Sequence, residues 1–184
     1  MKRSLSNKII FTLLFAIPIA VVITVFLVAL KPWENYEHNG PIAYPKDKLV
    51  KIGAPQVKAN EGIVFGGLTF QNNTDQSIQI VNIQPSNISS DMQFQVLGVG
   101  DLNLTKGIKS ADLKADQLEN KIHKLPFDIP ANSNSYRPIV ELTADMQGTY
   151  VMDGLIITYK YDNKQYRELY PDQFTLKCIP ATEQ

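Results

Sequence analysis

The sequence predicts an all-β domain behind a single membrane-spanning helix. Three observations predict it. Residues 9–30 form an apolar run of 22 residues without a charge. From Glu61 onward, short segments of alternating apolar and polar residues are separated by turn clusters. The single cysteine, Cys178, excludes an internal disulfide and a multi-cysteine metal site.

The apolar run comes first. At about 1.5 Å per residue, a helix of this length spans the roughly 30 Å hydrocarbon core of a bilayer. A secretory signal has a shorter apolar region and a small-residue cleavage site. Here the run ends in "FLVALKPW", which matches such a site poorly. No face of the run is polar, unlike a buried helix of a soluble domain. It therefore reads as a retained signal anchor. Lys2, Arg3 and Lys8 precede it, while Lys31 is soon offset by Glu34 and Glu37. The positive-inside rule puts residues 1–8 in the cytoplasm and the bulk of the chain outside. Lys8, Trp33 and Tyr36 fall at the expected membrane interface. Pro18 sits mid-span, where proline is tolerated and kinks the helix.

Residues 31–60 hold Pro32, Pro41, Pro45 and Pro55 and sustain neither the helical nor the strand period. They read as a semi-extended stalk, with "KLVKIGAP" as a candidate first edge strand. The domain is expected over residues 61–184.

Its elements follow in order. "GIVFGGLTFQN" is apolar and β-branched, and Gly66 and Gly67 suggest a bulge or a close backbone approach. "NNTDQS" is a turn cluster. "IQIVNI" points Ile78 and Ile80 inward, with Val81 or Ile83 as the third inward residue. "MQFQVLGVG" alternates through Met92, Phe94 and Val96. "KSADLKADQLEN" breaks the pattern with good helix formers around Leu113 and Leu118, and predicts a short helix or structured excursion. "KIHKLPFDIP", "YRPIVELTA" and "TYVMDGLIITYKY" are further strand candidates. Asp162, Asn163 and Lys164 predict a tight hairpin turn before the closing strand "FTLKCI". Seven or eight such strands over about 120 residues predict an antiparallel β-sandwich, immunoglobulin-like in the broad sense, with a small barrel as the alternative. The Cys…Trp…Cys hallmark of antibody-type domains is absent, since the one tryptophan is Trp33.

Charge narrows the partners. Three of the 18 basic residues precede the run, leaving 15 against 18 acids in the remainder. A mild acid excess argues against nucleic acid, which demands concentrated Lys and Arg. The domain lacks GxSxG, HExxH, SxxK and phosphate-loop motifs. His123 lies between lysines in "KIHKLPF" and reads as a surface or strand-edge residue. Cys178 alternates with Leu176 and reads as a structural thiol. A soft metal would have to use His123, Cys178, Met92, Met146 or Met152, and none of these pairs has tight ligand spacing. "NNTDQS" and "YDNKQ" offer oxygens without a complete calcium loop. Acceptor sequons occur at Asn72, Asn87 and Asn103.

The expectation is therefore a protein without a cofactor. Its partners would be the lipid bilayer, through residues 9–30, and another envelope or membrane protein. The alternatives are a metal- or small-ligand-binding accessory of a transporter or oxidase, and an enzyme of unrecognised type.

Overall fold

Alternating side chains need a buried face, and two sheets supply it to each other. The computed structural model describes residues 40–43, 51–52, 56–67, 69–171 and 173–180. The chain divides into two units, Met1–Asn35 and Tyr36–Gln184, and every described residue belongs to the second. The expected anchor at 9–30, with Lys8, Trp33 and Tyr36, lies outside the described residues. Among the described residues, no helix is long and apolar enough to cross a membrane.

The strands begin inside the segment expected to be stalk, with β1 (Ile42–Ala43), β2 (Lys51–Ile52) and β3 (Gln56–Lys58). Next come β4 (Ile63–Gly66), β5 (Gln71–Asn72), β6 (Ile78–Pro85) and β7 (Met92–Gly100). β8 (Ile108–Lys109) leads into the helix α1 (Ser110–Ala115) and a 3₁₀ turn, Leu118–Lys121. β9 (Ile122–His123) and β10 (Phe127–Ile129) follow. The chain then forms β11 (Arg137–Ala144), β12 (Gly148–Met152), β13 (Leu155–Tyr161), β14 (Lys164–Tyr170) and β15 (Gln173–Ile179).

One layer is the sheet β10-β6-β13-β14, and the facing layer is β8-β4-β11-β7-β9. A third sheet, β12-β15-β2, also takes β3 on β15. All ladders are antiparallel except those of β15 with β2 and β3. Inward residues of both layers meet in one core: Phe65, Val140 and Leu142 from one, Ile80, Ile157 and Tyr159 from the other. This is an antiparallel β-sandwich. Phe65 meets Phe174 edge to face at 5.5 Å, which ties β4 to β15. The packed domain reaches back at least to Ile42, because Ile42 and Val57 are core residues and β1 pairs with β5.

The hairpin is as expected. Asp162 and Asn163 have φ of +48° and +58° and join Tyr161 to its partner Lys164, a type I′ turn. "TYVMDGLIITYKY" is two strands, not one. Leu155 pairs with Tyr170 while Met152 pairs with Phe174, so the ladder slips by one residue at Asp153–Gly154. "KIHKLPFDIP" also splits: β9 joins one layer and β10 the other, with Lys124 to Pro126 crossing between them. In β6 an irregularity at Val81 lets Ile80 pair with Tyr159 and Asn82 with Thr158, which makes Ile83 the third buried residue.

A second core cluster sits on the outer face of the β4–β11 pair. Val64 and Ile139 point away from the main core and are covered by Leu102, Leu104 and Leu113 of the excursion between β7 and β9. Gly66 is the close approach that the glycine pair suggested: its amide donates to the Leu104 carbonyl at 3.2 Å.

Asn72 is a fully buried polar residue, although it lies in an acceptor sequon. Its Nδ2 donates to the carbonyls of Gln76 (2.9 Å) and Pro130 (2.9 Å), with Ile129 at 3.2 Å. Its Oδ1 accepts from the amide and hydroxyl of Thr74, at 3.0 and 2.7 Å. The "NNTDQS" turn is thus pinned to the end of β10. Replacing Asn72 with Ala strands these buried groups. Urea unfolding of Asn72→Ala is expected to show a loss of about 2–3 kcal/mol.

Candidate functional site

Strand β7 is paired along only one side for most of its length. β11 pairs along one side of it, from Arg137 opposite Gly100 to Ala144 opposite Met92. On the other side β9 reaches only Val99 and Gly100. Among the described residues, no strand pairs with that side of Met92–Gly98. The cause is local. At Gly98 φ is +144°, and a Cβ there would lie 2.1 Å from the His123 carbonyl oxygen, so the chain crosses β7 closely and then leaves it. Leu97 has no partner in the β11 ladder and forms a bulge.

Three hollows follow this strand. The first, of about 240 Å³, is floored by Val64 and Leu97 and covered by Leu113 and Ile122, with Lys124 and Glu141 at its rim. The second, of about 410 Å³, lies between Gln95–Gly98 and the pair Lys124 and Leu125. The third, of about 310 Å³, lies over Gln93 and Gln95 and their β11 partners Thr143 and Glu141. Leu97 and Lys124 are common to the first and second, and Gln95 to the second and third. The hollows therefore adjoin one another along β7. Gln93 and Gln95 are exposed, whereas Phe94 and Val96 are half-buried and pack against the main core.

Exposed charges flank both ends of this edge. Asp91 and Asp145 are exposed at its Met92 end, and Gln93 Nε2 donates to Asp145 at 3.3 Å. Lys121 and Lys124 are exposed at its Gly98 end, with the exposed Asp101 just beyond Gly100. Behind the groove, Ser110 Oγ donates to Glu141 Oε1. Lys109 Nζ meets Glu61 Oε1 at 2.7 Å. The Lys109 hydrogen bond, helped by the Lys58 amide, holds the Glu61 carboxyl below its ordinary range. An open strand of this kind offers main-chain donors and acceptors to another strand.

The metal candidates are not assembled. Met92, Met152 and Cys178 are buried in the main core, opposite Ala144, Phe174 and Gly148 respectively. His123 is exposed and stacks on Phe127 at 4.6 Å. It faces Val99, seven residues along β7 from Met92. At the rise of a strand that is about 23 Å. Met146 is exposed on the turn before β12. Among the described residues, no three His, Cys, Asp or Glu side chains gather to hold a metal ion.

Sequence reasoning did not single out Gln93, Gln95, Leu97, Lys124 or Glu141. A signal was present: "MQFQVLGVG" is a nine-residue strand without a charge or a proline.

No family model matches this chain, and no curated protein matches it. Solved structures do. The VesB protease of Vibrio cholerae aligns with a TM-score of 0.41 at 12% identity, over 75% of this chain and 32% of that one. This chain therefore spans about a third of VesB's length. The ASH/PapD-like domain 7 of human CEP192 aligns with a TM-score of 0.39 at 9% identity, over 77% and 87%. The GAE domain of GGA2p from Saccharomyces cerevisiae aligns with a TM-score of 0.34 at 10% identity, over 75% and 88%.

Burial pushes the Cys178 thiol up from its ordinary range, which keeps it protonated and unreactive. Iodoacetamide at pH 8 is expected to leave Cys178 of the folded chain largely unmodified and to alkylate it fully in denaturant. Equal rates in both conditions would contradict its burial.

Proposed function

We propose that this is a single-pass membrane-anchored extracytoplasmic protein whose β-sandwich serves as a non-enzymatic interaction or scaffold subunit of the cell envelope. One observation carries the interaction reading: among the described residues, no strand pairs with one side of Met92–Gly98, and hollows with shared lining residues lie along it. Bound proteins use such edges through main-chain hydrogen bonds, with side-chain hollows giving selectivity. Natural sandwiches seldom leave a long edge open without a guard against pairing.

The anchor reading draws its support from the sequence. Residues 9–30 carry no charge, and the basic residues before them set the direction. Such an anchor would keep the groove among neighbouring membrane and envelope proteins.

A photo-crosslinking residue placed at Gln95 in the full chain, in intact cells, tests both parts. Gln95 is expected to yield a discrete crosslinked protein. The same residue at Lys160, exposed on β13 in the other layer, is not. Removing residues 1–30 is expected to release the chain from alkali-washed membranes. No product at Gln95, or the same product at Lys160, would overturn the interaction reading. A wild-type chain that washes off the membrane would overturn the anchor.

A further inference from the structure

We infer that the occupant of the β7 edge is β7 of a second copy of this chain, paired antiparallel about a two-fold axis at Phe94. The inference rests on the reading of this edge as a protein-binding surface and names what fills it.

The register comes from the strand itself. Met92 to Val96 pair residue for residue with β11, from Ala144 to Val140, and the bulge at Leu97 ends that regular stretch. Its midpoint is Phe94. A two-fold pair must match its own surface patch. About Phe94, Gln93 meets the second copy's Gln95, Phe94 meets Phe94, and Met92 meets Val96. On the outer face, amides meet amides. On the inner face, the half-exposed Phe94 and Val96 gain apolar cover. Cross-strand pairs of this kind are the unit of sheet stabilisation.

The ends also match. An antiparallel second copy brings its Asp91 and Asp145 to the end of the edge that carries Lys121 and Lys124, and symmetry does the same at the other end. Complementary charge of this kind fixes register and steers encounter.

Other edges among the described residues are treated differently. β8 carries Lys109, β10 carries Asp128, and β14 carries Lys164 and Arg167. β12 has residues 86–89 bonded beside it, through Ser89 to Val151 and the Ile88–Met152 bridge. Charges on an edge strand discourage pairing. β7 carries none.

The test uses full-length chains bearing two different affinity tags, co-expressed and purified from membranes. Gln93 and Gln95 are exposed, so charge there leaves the core alone. Wild-type chains are expected to co-purify. Two copies of Gln93→Lys/Gln95→Lys place like charges opposite each other and should co-purify at least about tenfold less. Two copies of Gln93→Glu/Gln95→Glu should behave the same. One Lys copy with one Glu copy should restore the wild-type yield, which also shows that both variants fold. Wild-type chains that fail to co-purify would overturn the inference. So would Lys copies that co-purify like wild type, because association would then lie elsewhere. If wild-type chains do not self-associate but the Gln95 photo-crosslink captures a different protein, the second copy is overturned and the interaction reading stands. If neither self-association nor capture occurs, both fall.

Discussion

The fold depends on one constraint: the β4–β11 pair is buried on both faces. Phe65 and Val140 face the main core, while Val64 and Ile139 face the opposite way. Side chains of this size each lose about 1.5–3 kcal/mol if left in water. A sandwich with one covered face would leave Val64 and Ile139 exposed. The excursion through Leu102, Leu104 and Leu113 answers that need. It is held at its base by the Lys109–Glu61 ion pair and by Ser110 on Glu141. Meeting the need has a consequence for β7. The chain returns from the excursion as β9, touches β7 at only two residues, and crosses to the other layer. The open edge follows from the way the outer face is covered.

Polar groups tie the opposite part of the sandwich. Asn72 satisfies carbonyls at the end of β10 while holding the Thr74 turn. Tyr159 donates to Glu168 at 2.9 Å, stacks on Tyr166 at 5.2 Å, and shares that carboxylate with the Gly40 amide. Burial, together with the Glu168 charge, pushes the Tyr159 phenol well above its ordinary range, so it stays a hydrogen-bond donor. These contacts fasten residues 40–43 to the domain.

Much of the fold was legible in the sequence where a local rule decides the outcome. The Asp162–Asn163 turn, the inward Met92 and the Leu113 helix all follow from turn chemistry, period two and helix propensity. Alternation with Leu176 gave Cys178 a structural reading and left its burial open; the structure buries it. The failures occur where tertiary context decides. "KIHKLPFDIP" has the pattern of one strand, but its halves serve different layers. The continuous apolar "IVFG" signals double burial, yet its second cover comes from residues about forty positions later. Asn72 has the composition of an exposed turn and is buried, because its amide matches three carbonyls that no local rule places there. The groove was missed because uncharged glutamines on a strand resemble any solvated face. Only the short β9 distinguishes this edge from a paired one.

In the proposed pair, Met92–Val96 is bonded to a strand on both sides. Residue-resolved amide hydrogen exchange on the full-length chain, compared between wild type and Gln93→Lys/Gln95→Lys, tests it most directly. In a strand paired on one side only, alternate amides point to solvent. All amides from Gln93 to Val96 are expected to be slow in wild type, and alternate ones to become fast in the variant. Alternating fast and slow amides already present in wild type would contradict the pairing.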